Sequence, residues 1–195
     1  SRDDTGFNIH TNRENFHARA VILATGGRSL PTTGSDGSGY ALAQSLGHSI
    51  TPTFPALVPL LLPQDHFLTH LSGLSTPVCL TLRTPNGKTL YTTHNALLCT
   101  HFGISGPAAL DVSRHWQAAQ HSNTPAALHV NFLPPHTPQS LEESLLNHHA
   151  PSLLHLLNPH LPDRLSRALC QHAQLSPAIT PRSLTRAARK NLVST

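Results

Sequence analysis

The stretch Ala20-Val21-Ile22-Leu23-Ala24-Thr25-Gly26-Gly27, followed by Thr33-Gly34-Ser35-Asp36-Gly37-Ser38-Gly39-Tyr40, decides how this chain is read. An apolar, β-branched run stops in a small residue, a hydroxyl and two glycines. That pattern is how a buried parallel strand delivers backbone to a ligand at its carboxyl end. Glycine permits the turn and lets a bulky group approach the main chain. The second loop opens into Tyr40-Ala41-Leu42-Ala43-Gln44-Ser45-Leu46-Gly47, a short helix with Leu42 and Leu46 one turn apart and Gly47 at its C-terminal cap. A helix start beside a glycine turn offers free N–H groups to an anionic or polar ligand edge. Taken alone, the pattern is also ordinary α/β punctuation.

Upstream, Gly6–Thr11 and Phe16–Leu23 read as two strands joined by the polar turn Asn12-Arg13-Glu14-Asn15. Downstream, Thr51-Pro52-Thr53-Phe54-Pro55 extends the backbone and cannot continue a helix, which sets a domain boundary between residues 1–52 and 53–195. Beyond it the apolar pattern takes period two. Val78, Leu80 and Leu82 point one way, and Cys79, Thr81 and Arg83 the other. Pro85-Asn86-Gly87-Lys88 supplies an Asn-Gly hairpin turn that sets Leu82 opposite Tyr91 and Leu80 opposite Thr93. Asn95–Cys99 and Ala126–Leu133 are further strands, and together these predict a small antiparallel barrel or curled sheet. From Pro138 the chain turns helical. Ser140-Leu141-Glu142-Glu143 reads as a capping box with Leu141 and Leu145 buried, a second helix starts at Asp163, and a third at Thr180-Pro181.

Composition excludes several classes of protein. The 195 residues hold 17 prolines and few charges, which implies many loops and short elements. The longest apolar run, Leu57–Leu62, is interrupted by Pro59 and falls far short of a bilayer span. Cys79, Cys99 and Cys170 are too widely spaced for a zinc knuckle, a redox pair or a disulfide framework, and a reducing cytoplasm fits them best. There are 16 histidines, but no HExxH or HxH spacing, so no metal site is expected. Many of these histidines are read as replacing lysine on the surface, so net charge rises steeply below about pH 6.5.

The run AVILATGGRSLPTTGSDGSGYALAQSLGHSITPTFPALVPL resembles the BaiN/RdsA family of FAD-dependent oxidoreductases, which includes the aminoacetone oxidases. Thr100-His101-Phe102-Gly103-Ile104-Ser105-Gly106-Pro107-Ala108 resembles that family's second signature, in the same order and at a similar separation. The resemblance implies the edge of a Rossmann-like FAD domain, α/β in the whole protein and α+β here. An inserted antiparallel barrel-like domain with a helical C-terminal part would follow it. No GxGxxG pyrophosphate loop occurs, so the chain is expected to be an internal fragment that would not retain FAD alone.

The resemblance places Ala24, Thr25, Gly26 and Gly27 against the FAD, with Gly34, Asp36 and Gly37 as further cofactor-binding candidates. Asp36 sits two residues earlier than in the commoner family pattern, and is read equally as a helix cap. His101 is the candidate for polarising substrate. Phe102, Ser105 and Gly106 are the candidates on the substrate side, at a helix start expected to face the Thr25–Gly27 turn across a cleft. The alternative is that Phe102 and Ile104 plug a core while His101 bonds to backbone. The implied activity is hydride transfer between a small organic substrate and a nicotinamide or dioxygen, with FAD as cofactor and NAD(P)H as electron donor. Arg164, Arg167, Arg182, Arg186, Arg189 and Lys190 form a basic helical run. It is read as a solvated face rather than a nucleic-acid site, because aromatic interleaving is missing. A binding module for RNA or an acidic protein is the alternative from a different class.

Overall fold

A computed structural model describes residues 1–195, which divide into two units, Ser1–Thr53 and Phe54–Thr195. In the first unit β1 (Arg2–Asp3), β2 (Gly6–His10) and β3 (Asn15–Ala18) form an antiparallel meander. Its first turn closes on one carboxylate: Asp3 accepts from the Thr5 amide (2.8 Å), the Thr5 hydroxyl (2.7 Å), the Gly6 amide (3.0 Å) and Asn8 Nδ2 (2.6 Å). The Thr5 hydroxyl leads these donors in holding the Asp3 carboxyl far below its usual range.

The expected second strand ends early. Chain pairing stops at Ala18, and Ala20–Leu23 carries no strand structure. Val21, Ile22 and Leu23 are 37%, 91% and 42% exposed. Such a run becomes a buried parallel strand only between neighbours that pair with its edges, and no strand of this chain does so. The helix is found as read: α1 (Ser38–Ser45) ends with Gly47 N–H donating to Gln44 O (3.0 Å) and His48 N–H to Ala43 O (3.1 Å). That is the glycine-terminated motif that satisfies the last carbonyls.

The second unit is built on a five-stranded antiparallel sheet. In sheet order it comprises β4 (Leu60–Leu61), β7 (Gly103–Ser105), β6 (Thr89–Thr100), β5 (Ser75–Arg83) and β8 (Ala127–Asn131). It is a curled half-barrel with β4 and β8 as free edges. Val78, Leu80 and Leu82 of β5 are buried with Leu97 and Cys99 of β6. Helix α2 (Gly106–His121) covers that face with Ala108, Ala109 and Val112. Each fully buried leucine there contributes about 1.5–3 kcal/mol.

The hairpin register is the one expected, Leu82 opposite Tyr91 and Leu80 opposite Thr93. Its turn differs. Gly87 N–H donates to Thr84 O (2.9 Å), which puts Pro85 and Asn86 at the centre instead of Asn86 and Gly87. Proline's fixed φ suits the first central position. Gly87 then takes positive φ and Leu90 is left as the extra residue between the Arg83–Thr89 and Leu82–Tyr91 pairs.

Four helices follow: α3 (Pro138–Asn147), α4 (Leu153–Leu157), α5 (Asp163–His172) and α6 (Arg186–Ser194). Helix α4 was not legible beforehand, and two starts move. The capping box of α3 belongs to Thr137 and Ser140: Thr137 Oγ1 accepts from the Ser140 amide (3.1 Å) and Ser140 Oγ from the Thr137 amide (2.9 Å). Pro138 lengthens the helix because its missing N–H is not needed in the first turn. Glu143, expected to complete the box, instead accepts from Gln139 Nε2 (3.2 Å). Thr180-Pro181 starts only a 3₁₀ turn over Pro181–Ser183, since Leu184 is extended, and Thr185 caps α6 through the Ala188 amide (3.2 Å). Leu145 turns inward as expected while Leu141 stays half-buried, and Leu165, Leu169 and Leu192 are buried on the helices that follow.

Amide hydrogen exchange should therefore be slower in Val78–Leu82 than in Val21–Leu23, whose peptide groups lie in an exposed, unladdered segment. The reverse order would show that the first unit holds structure the fold does not explain.

Candidate functional site

Two sequence-flagged clusters are built by backbone packing. In the first unit the glycine turn is pressed against the start of α1. A Cβ added at Gly39 would overlap Thr25 Oγ1, one at Gly27 would sit 3.1 Å from the Tyr40 hydroxyl, and one at Gly26 would sit 2.7 Å from Ser35 Oγ. Gly26 also has φ +71°, a conformation that costs other residues dearly. The Arg28 guanidinium lies 5.6 Å from the centre of the Tyr40 ring, and its stem covers Gly37.

Asp36 is committed to the helix start. Its Oδ1 accepts from the Ser38 amide (2.9 Å), and that bond, with one from the Ser38 side chain, lowers the pKa of the carboxyl. The structure thus brings Thr25, Gly26, Gly27 and Gly37 together around α1. Gly34 closes the preceding 3₁₀ turn, Pro31–Thr33, and has open space at its Cβ position. Ala24 is exposed. Ser35, Gly39, Tyr40 and Arg28 complete the cluster; Gly39 and Tyr40 were visible as the loop-to-helix junction but were not singled out. Ala24, Thr25 and Gly26 are exposed, so this turn could offer main chain to the edge of a dinucleotide, whereas in the first turn of α1 the Ser38 and Tyr40 amides already bond to Asp36 and Gly37, and Gly39 is buried.

In the second unit β7 carries the other signature. Gly103 has φ +154°, and a Cβ there would overlap Leu60 O and stand 3.0 Å from Leu61 Cα, because β4 is paired alongside it with Leu61 opposite Gly103. Leu62 N–H donates to Phe102 O (3.1 Å) and Thr100 Oγ1 to Gly103 O (3.0 Å), which pins the turn between β6 and β7. His101 and Phe102 occupy that turn with rings edge to face at 4.9 Å. His101 is exposed, Phe102 is 40% exposed, and Ile104 is the residue that enters the core. Ser105 is the N-cap residue of α2, but its hydroxyl makes no cap bond. It pairs instead with Leu98 of β6, and Gly106 is packed so closely on β6 that a Cβ would meet Leu98 N at 2.9 Å.

A polar cluster escaped the sequence reading. Tyr91 donates its phenol hydrogen to Asp111 Oδ2 (2.7 Å), and its ring stacks on His115 at 3.7 Å between centroids. The bond lowers the Asp111 pKa and raises that of Tyr91. Desolvation leads in lowering the His115 pKa, with Arg114 adding to it, and His115 Nε2 is buried without a partner. These residues lie on β6 and α2 and clasp the helix to the sheet. No spacing rule links residues twenty apart on different elements.

A family model described as the HI0933-like protein barrel and H2TH domain matches residues 54–195, and the chain belongs to that family. The BaiN/RdsA resemblance carried by the two glycine-rich blocks is to this same group of flavin-dependent oxidoreductases. A protein of Escherichia coli strain K12 named ribosomal RNA dihydrouridine synthase is 33% identical over 198 residues, spanning 100% of this chain and 46% of that protein. Its namesake from Haemophilus influenzae is 38% identical over 131 residues, 67% of this chain and 30% of that protein. A 3-dehydro-bile acid delta(4,6)-reductase from Clostridium scindens is 36% identical over 129 residues, 66% of this chain and 31% of that protein. The chain thus spans less than half the length of each relative.

Two predictions follow from the packing. Gly103→Ala should unseat β4 and cost about 2 kcal/mol or more, read as a lowered midpoint of thermal unfolding. Tyr91→Phe should lower stability at neutral pH and flatten its acid dependence. A depressed carboxyl pKa contributes stability above the ordinary range near 4 that is lost as pH falls through the folded value. Urea unfolding between pH 7 and pH 3 measures both effects, and coincident curves for wild type and Tyr91→Phe would show that the Asp111 bond is stability-neutral.

Proposed function

We propose that this chain is part of an FAD-dependent reductase that saturates a carbon–carbon double bond in a pyrimidine base of ribosomal RNA. The observation that carries the reading is similarity along the whole chain to a ribosomal RNA dihydrouridine synthase, through both glycine-rich blocks. The reductase named for bile acids supports the same reaction type, since saturating a ring double bond is common to both names. In this reading residues 1–52 belong to the FAD domain and residues 53–195 form the inserted substrate or cap domain. A nicotinamide is the proposed source of electrons and the cytoplasm the proposed location.

The flavin, when bound, supplies the hydride. The protein's share is positioning. Ala24–Gly27 would hold the cofactor edge through main-chain groups. Asp36, already bonded to Ser38, acts by fixing that helix start. His101, exposed at the β6–β7 turn against Phe102, is the proposed group for polarising the base carbonyl or delivering the accompanying proton. The basic run from Arg164 to Lys190, read from sequence alone as a solvated face, would in this reading meet the phosphates of the RNA.

In the full-length protein, Gly26→Val should abolish flavin retention, because the branched side chain meets Ser35 and demands an unfavourable φ. His101→Ala should keep the flavin absorbance and lower turnover roughly a hundredfold. Activity is read by mass spectrometry of unmodified ribosomal RNA incubated with enzyme and NADPH. No gain of two hydrogens on any uridine, with reduction of an unsaturated steroid ketone instead, would move the substrate to the small-molecule class.

A further inference from the structure

Helix α6 is docked on the second unit by one side. Leu192 is buried, Asn191 Nδ2 donates to Ala173 O at the end of α5 (2.9 Å), and Arg189 Nη1 donates to Leu184 O (2.7 Å). These contacts fix the rotation of the helix about its own axis. Arg186 and Lys190, one turn apart, are thereby left exposed on the other side. Arg182, in the 3₁₀ turn just before α6, is exposed as well, with its Nη2 3.4 Å from His149 Nδ1.

The other cations of the basic run are already engaged. Arg167 pairs with Asp163 (2.7 Å), Arg164 Nη2 donates to His70 O (3.3 Å), and Arg189 holds Leu184. Arg182, Arg186 and Lys190 have no acidic partner, because the one ion pair of the chain is Arg167 with Asp163. Helix α3 packs against α6 and carries Glu142 and Glu143, yet Glu143 is bonded to Gln139 and neither carboxylate reaches a cation. Like charges one turn apart disfavour a helix, and a cation in the first turn opposes its dipole. The arrangement thus costs stability that an anionic partner offsets.

We propose that Arg182, Arg186 and Lys190 form a docking face for the phosphate backbone of RNA. The inference rests on the RNA-reductase reading above and narrows the basic run to these three side chains. A phosphate backbone repeats its charge at regular intervals, which suits cations held one helical turn apart on a helix of fixed rotation. From Arg182 to Ser194 the chain has no aromatic residue. Aromatic rings are needed to stack bases, whereas phosphate contacts do without them. The face therefore positions the strand and reads no sequence, while the base is handled elsewhere.

The test uses the full-length, flavin-loaded protein and an unmodified ribosomal RNA transcript, with affinity measured by filter binding across a salt series. The double variant Arg186→Gln, Lys190→Gln should weaken binding about tenfold at low salt and flatten the slope of log K against log salt by roughly 1.5. Both changes are at exposed positions, so flavin absorbance and thermal midpoint should match wild type. Arg83→Gln with Lys88→Gln removes the same charge at the β5–β6 turn and should leave affinity and slope as they were. An RNA of unrelated sequence should show the same loss as the ribosomal transcript. An unchanged slope in the α6 variant, or an equal loss in the Arg83 and Lys88 control, would overturn the face, while a gain of two hydrogens on uridine by wild type would keep the reductase reading standing. Wild-type capture of polyglutamate with no retention of RNA would overturn it in favour of an acidic protein.

Discussion

The two-sided burial of β5 is the constraint on which the rest of the second unit depends. A strand that is laddered on both edges, to β6 and to β8, has no freedom to slip, because a shift of one residue would turn Leu80 and Leu82 out and Cys79 and Arg83 in. Fixing that register fixes what lies above and below it. The leucine face must be covered, and α2 covers it with alanines small enough to approach closely. The opposite face carries thiol, hydroxyl and guanidinium groups, with Thr81 buried, Cys79 half-buried and Arg83 exposed. The same alternation therefore produces both an apolar face and a polar one.

Much of that was legible in the sequence because the signals were local. Alternation along Val78–Arg83 and the hairpin register it sets report on residues a few positions away, and both survive in the fold, although the turn itself centres on Pro85-Asn86 and not on Asn86-Gly87. Local rules failed where two residues competed for one role. Thr137 and Ser140 both qualify as caps, and proline at the position after threonine decided between them. Thr180 and Thr185 competed in the same way, and the extended backbone of Leu184 let the second win. The Tyr91–Asp111–His115 clasp was out of reach for the opposite reason, since it is purely tertiary.

The glycine turn shows how a motif can mislead about the strand before it while the turn itself still forms. Ala20–Leu23 has the composition of a buried parallel strand, yet it lies exposed and unpaired, because composition expresses what a segment needs and not whether a neighbour supplies it. The turn that follows is nevertheless well defined. It is held by contacts across the two loops, Thr25 on Gly39 and Gly26 on Ser35, none of which requires the strand to be paired. A turn built from backbone can thus be held in place by its own loops.

Histidine in this chain works largely as a ring. Phe67 stacks between His66 (5.0 Å) and His172 (4.6 Å), Tyr91 on His115 (3.7 Å), and His136 meets His160 edge to face (5.8 Å). Desolvation lowers the pKa of both His66 and His115, which favours the neutral ring where it is packed. Histidine rings thus serve here as packing surfaces between the sheet and its helices and not only as sources of surface charge.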